Sequence, residues 1–127
     1  MSYLIDTNVL LWAMEGNPKL SSRAKAAINN EKNDIYVSVV SIWEISIKLS
    51  IGKLKLSRTL DEIIDEIDYL NFSLKPISLD ALRLVRNFPF HHRDPFDRLI
   101  IAEAQIEKIP IISSDEKFHL YPPEIIW

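Results

Sequence analysis

The chain has 127 residues, a length that suits one compact domain with a sizeable buried core. It is 47% hydrophobic and has no cysteine, which excludes disulfides and thiolate metal sites and fits a reducing, cytoplasmic setting. A net charge of −3 argues against holding nucleic acid by bulk attraction, yet it admits a nucleic-acid enzyme whose acids hold metal cations.

Met1 to Asp6 lacks the basic start of a signal peptide, and no apolar run approaches the roughly 20 residues of a membrane span. Tyr3-Leu4-Ile5, ending at Asp6, reads as a short buried strand followed by a helix to about Glu15. Pro18 breaks the chain, and Ser21-Ser22 cap a second helix through Asn29. Ile35 to Ser38 is a second strand, and Ser41 starts a helix to about Ser50. Leu60, Ile63, Ile64, Ile67 and Leu70 form a helical apolar stripe, with Asp61, Glu62, Asp65, Glu66 and Asp68 on the wet side. Leu74 to Ile77 is a third strand, and Ala81, Leu82, Leu84 and Val85 belong to a further helix. Pro95 opens a long helix over Phe96 to Lys108. Pro110 precedes a fourth strand, Ile111 to Ser113, and Glu124 to Trp127 adds an edge strand. The alternation predicts a single α/β domain over residues 1–127, its central parallel sheet of four to five strands flanked by helices on both faces. With two glycines, Gly16 and Gly52, the chain has no Gly-rich phosphate loop, and it has no GxSxG elbow.

Chemistry in an open parallel sheet is sought beyond the carboxyl ends of the strands. Asp6 stands there between two hydrophobic segments, where a bare carboxylate is costly. Glu44 follows the second strand, Asp97 sits in the first turn of the long helix, and Asp115 follows the fourth strand. Each has a structural reading: Ser41 with Glu44 and Asp94 with Asp97 have capping-box spacing, and Asp6 and Asp115 suit caps. Thr59 with Glu62 is a box read as structural only. Four caps converging on one edge would crowd like charges, which a hard cation such as Mg²⁺ relieves.

These segments together resemble the PIN-domain ribonucleases, in particular the VapC-type toxins of VapBC toxin–antitoxin pairs. "LIDTNVLLW" resembles the opening strand and first acid, "VSVVSIWEISIK" the segment of the second acid, "HHRDPFDRLIIAEA" a subgroup with a DPFDR signature, and "IISSDEKF" the last motif. The resemblance implies that Asp6, Glu44, Asp97 and Asp115 are catalytic carboxylates binding Mg²⁺ or Mn²⁺, with Asn8 and Ser113 as polar supports. Ser113 stands where many members have threonine. Asp94 belongs to the subgroup signature and is read as a helix cap rather than a ligand; Arg98 is read as structural, paired with a neighbouring acid. The implied function is a metal-dependent endoribonuclease, with an RNA substrate, a VapB-like antitoxin as partner and a homodimeric state.

His91 and His92 are adjacent, so their side chains diverge, and they are read as substrate contacts or solvated groups rather than joint ligands. Trp12, Trp43 and Phe96 lie at helical apolar spacings and are read as core. Lys48, Lys53, Lys55 and Arg58 have no acid among them between Glu44 and Asp61; they either track an RNA backbone or form a solvated basic face. Two alternatives stay open. A haloacid-dehalogenase-like phosphatase also places an aspartate after its first strand, but needs a second two residues on, where this chain has Asn8. A non-catalytic interaction module would use the acids only as caps.

Overall fold

The short β-branched and aliphatic runs form five strands, and a computed structural model describes all of residues 1–127. In chain order the elements are β1 (Ser2–Ile5), α1 (Thr7–Glu15), α2 (Ser22–Asn29), β2 (Asp34–Ser38), α3 (Val39–Ser50), α4 (Leu60–Tyr69), β3 (Ser73–Lys75), α5 (Leu79–Arg86), α6 (Pro95–Glu107), β4 (Ile111–Ile112), a 3-10 turn over Glu116–Leu120, and β5 (Ile125–Ile126). All pairings are parallel, in the order β3-β2-β1-β4-β5. Ile5 lies opposite Val37 on one side and Ile112 on the other.

The period-two alternation of strands divides the core between the two faces. Leu4, Ile111 and half-buried Tyr36 and Ile125 face α5 and α6, where Ala81, Leu99, Ile100, Ile101 and Phe118 close over them. Ile5, Val37, Ile112 and Ile126 face the other way, onto Val9 and Leu10 of α1, Ala24 of α2, Ile45 of α3 and Ile63 and Ile67 of α4. The central strands are therefore apolar on both faces, as a covered parallel sheet requires.

Local signals placed several elements as expected. Asp94 caps α6, accepting from the N–H groups of Phe96 and Asp97, with Pro95 at the first helical position. Thr59 and Glu62 form the complete capping box of α4. Three expectations change. The helix after β2 starts at Val39 rather than Ser41, because Ser38 ends the strand and itself caps the helix, accepting from Val40 N–H at 3.0 Å. Ser41 and Glu44 therefore make no capping box. The third strand lies at Ser73–Lys75 and stops before Pro76, which has no N–H for a ladder. Trp43 is not core: it is 51% exposed and meets half-buried Phe96 edge-on, ring centres 4.9 Å apart. Trp12 is half-buried against Trp127.

Candidate active site

β1 lies between β2 and β4, and the chain reaches β4 only after passing through β3 on the opposite side. That reversal opens a crevice at the carboxyl ends of β1 and β4, the place where such sheets bind ligands. Asp6 leaves β1 there. It is 5% exposed and its Oδ1 accepts from the N–H of Val9 at 2.8 Å, capping α1. Beside it Thr7 donates to Ser41 at 2.9 Å, tying the start of α1 to α3. One turn further along α3 is Glu44, buried, with Oε2 on the Lys48 ammonium at 2.5 Å and Oε1 buried without any partner. Asp97 lies in the first turn of α6. Asp115 follows β4; its Oδ1 accepts from Lys117 N–H at 2.9 Å, and its own N–H donates to the Ser113 hydroxyl at 3.1 Å.

The capping and ligand readings do not compete here. Asp6 and Asp115 each use Oδ1 for the backbone and leave Oδ2 free of it.

Burial dominates the electrostatics. It pushes the Asp6 carboxyl up to about 6; bonds from Ser113 and Val9 offset part of this, and Asp115 and Glu44 add repulsion. Asp97 is pushed up to about 8, first by burial and then by the charges of Asp94, Asp6, Glu44 and Asp115. Lys48 is pushed up, chiefly by its bond to Glu44. The acids are thus close enough to destabilise one another's charge, and one Lys48 does not compensate four of them.

The remaining expected residues are dispersed. Asn8 is exposed on the first turn of α1 and makes no hydrogen bond to the acids. Of the basic stretch, Lys48 reaches the acids, Lys53 and Lys55 are exposed, and Arg58 pairs with Glu66 and donates to the Met14 carbonyl. Arg98 pairs with no acid. It is 5% exposed, donates to the carbonyls of Val85, Phe88, Pro89 and His92, and lies under the ring of Phe90 at 4.3 Å, so it staples the loop before α6. His92, read from the sequence as a substrate contact or a solvated group, is instead bonded to two of the acids. Its Nε2 lies 2.8 Å from Asp115 Oδ2 and 3.1 Å from Asp97 Oδ2, while His91 turns outward onto Tyr121. The adjacent pair did signal divergent rings; which one turns inward depends on Tyr121 and Asp94, which take its backbone N–H and its Nδ1. A groove of about 740 Å³ lies elsewhere, at the amino ends of β2 and β3 among Ile28, Ile35 and Phe72.

The fold and this acidic crevice define a PIN domain: the sequence matches that family over residues 3–122, and the chain belongs to it. Solved structures similar to this one include VapBC2 from Rickettsia felis bound to a DNA fragment from its promoter, at 18% identity and a TM-score of 0.71, covering 98% of this chain and 97% of that one. FitAcB from Neisseria gonorrhoeae follows at 17% and 0.66, covering 97% and 95%. A toxin–antitoxin complex from Klebsiella pneumoniae is similar at 19% and 0.66, covering 98% and 96%. No curated protein matches the sequence.

The residues present fit the divalent metal that this family implies. The donors are hard carboxylate oxygens, as Mg²⁺ and Mn²⁺ prefer. The buried, unpartnered Glu44 Oε1 and the raised Asp6 and Asp97 carboxyls mark a place where a cation relieves an existing cost. No helix is long and apolar enough to cross a membrane.

Proposed function

We propose that this protein is a metal-dependent endoribonuclease and the VapC-type toxin of a toxin–antitoxin pair. The observation that carries the reading is the convergence of Asp6, Glu44, Asp97 and Asp115 on the crevice beyond β1 and β4, with one Glu44 oxygen buried and unpaired. Asp6, Glu44, Asp97 and Asp115 hold Mg²⁺ or Mn²⁺ between them. When bound, the cation supplies Lewis acidity that activates water and offsets charge building on the scissile phosphate. The chain's own groups prepare that chemistry. Val9 N–H and Ser113 orient Asp6, Ser113 and Lys117 N–H orient Asp115, and Lys48 holds one oxygen of Glu44. Lys48, with Lys53 and Lys55 beyond it, offers positive charge to an RNA backbone approaching the acids. No side chain needs to act as a covalent nucleophile.

Replacing Glu44 by Gln, Asp97 by Asn or Asp115 by Asn is expected to remove most RNA cleavage in folded protein, by about 10²-fold or more if charge stabilisation dominates. Asp94→Asn is expected to keep much of it, since asparagine caps as well as aspartate. Cleavage that survives all three site substitutions would overturn the reading. A phosphatase of the haloacid-dehalogenase type is disfavoured by Asn8, which is exposed and not an acid. An interaction module whose acids only cap helices would show no stabilisation by divalent ions.

The partners follow from the same reading. The solved neighbours described above include toxin–antitoxin complexes, and a cognate VapB-like antitoxin is the inhibitor this enzyme requires. An arginine of its tail, bidentate and always charged, suits a pocket of carboxylates. We also assign the chain a two-fold homodimer, the commonest closed assembly.

A further inference from the structure

We propose that His92 is a hydrogen-bond donor that holds Asp97 and Asp115 together, and not a metal ligand, although the three groups lie close enough to hold an ion. Their ligand atoms are all within 4.8 Å of one another, which by distance alone invites the ligand assignment. The ring's other nitrogen argues against it. His92 Nδ1 accepts from the backbone N–H of Asp94 at 3.1 Å. A backbone amide only donates, so Nδ1 presents its lone pair, and the proton of the neutral ring sits on Nε2. That N–H points between Asp115 Oδ2 at 2.8 Å and Asp97 Oδ2 at 3.1 Å. A nitrogen bearing a proton has no lone pair for a cation.

The ring cannot easily turn to exchange roles. His92 is 7% exposed, its N–H donates to the Tyr121 hydroxyl at 3.0 Å, and its carbonyl accepts from Arg98 at 3.2 Å. Tyr121 in turn donates to Pro89 at 2.7 Å, and the ring meets Phe118 edge-on. The loop stapled by Arg98 thus delivers one fixed donor to two acids from different elements. Asp94 serves twice: its carboxylate caps α6 and its N–H sets the tautomer. His92 is therefore a positioning residue. It takes Oδ2 of each acid, which leaves Asp97 Oδ1 for the site, while Asp115 Oδ1, already accepting from Lys117 N–H, offers only its second lone pair.

This rests on the metal-holding role of Asp97 and Asp115, but the tautomer is measurable without it. Long-range proton–nitrogen NMR on histidine-labelled protein at about pH 8.5, where an ordinary histidine is neutral, is expected to show the Nε2–H form. The same form should persist with saturating Mg²⁺. An Nδ1–H form, a doubly protonated ring, or loss of the Nε2 proton on adding Mg²⁺ would overturn the proposal. The second arm compares His92→Gln, whose amide can place a donor near Nε2, with His92→Ala. Mg²⁺ affinity is expected to fall about 10-fold in His92→Ala, the low end for a group supporting a ligand, and to be largely restored in His92→Gln. Equal loss in both variants would count against a donor role. If wild type binds no Mg²⁺ at all, the functional reading falls, while the metal-free spectrum still decides the donor assignment.

Discussion

Glu103 is 2% exposed on α6, and neither of its carboxylate oxygens has a hydrogen-bond partner. Burial pushes it up to about 7, and Ser38 and Lys75 offset only part of that. Its folded value lies above its unfolded value, so the native state holds the extra proton between them. Stability from this group is present at low pH and is lost as pH rises from about 4.5 toward 7 and beyond. Glu103→Gln removes the titration at nearly constant size. It is expected to stabilise the protein by about 1–3 kcal/mol at pH 8, the order of the cost of ionising this buried carboxyl, and by little at pH 5. Urea unfolding at the two pH values checks this. Asp97 titrates in the same direction, with a folded value of about 8. Metal-free protein should therefore lose stability as pH rises from about 4 to 8. Saturating Mg²⁺ is expected to abolish the Asp97 share and leave that of Glu103; a pH profile unaltered by Mg²⁺ would speak against a cation at Asp97.

Among the elements, α6 shows how one helix start serves structure and site together. Asp94 is its cap, and its charge also adds to the raised value of Asp97 in the first turn. Asp94→Ala is expected to cost about 1 kcal/mol in chemical unfolding, and Asp94→Asn only a few tenths. Both variants remove a neighbouring negative charge, so the Asp97 carboxyl should move back toward its ordinary range, a shift observable by carbon NMR. No movement in either variant would mean that burial and the other acids, without Asp94, set the Asp97 value. In α3 the cap is Ser38 rather than Ser41, which frees Ser41 to accept from Thr7 and lock α1 against α3. That bond sets the spacing between the elements carrying Asp6 and Glu44.

At the scale of the molecule, a ligand that binds only the native state adds stability by mass action. Mg²⁺ at about 100 times its dissociation constant should add about 2.7 kcal/mol, visible as a rise in Tm. Asp6→Asn, which removes a buried charge at constant size, is expected to lose most of that rise. Equal shifts in both proteins would place the cation elsewhere. The proposed antitoxin acts on the same charges: a synthetic antitoxin tail should inhibit cleavage, and replacing its arginine by alanine should relieve inhibition more than it weakens binding. Inhibition that survives the replacement, with binding intact, would show that the inhibitor does not work through the acidic crevice.

Strand and helix alternation, the parallel sheet, and the caps Asp6, Asp94 and Thr59 were all legible in the sequence. Their physics is local: a hydrophobic period and a side chain bonding an amide two or three residues on. That the four acids fall on one edge was also foreseeable, because strand ends in a parallel sheet share one edge and α6, which runs back to the start of β4, begins there. Three features were decided only by tertiary structure. Trp43 has an apolar spacing, yet it meets Phe96 edge-on and remains half open. Arg58 belongs to a basic run, yet Glu66 and Met14 claim it. His92 looked like either of two loop histidines until the fold set Tyr121 on its amide, Asp94 on Nδ1 and Asp115, 23 residues away, on Nε2. Burial and the pairing of distant polar groups depend on which faces meet, and no spacing along the chain encodes that.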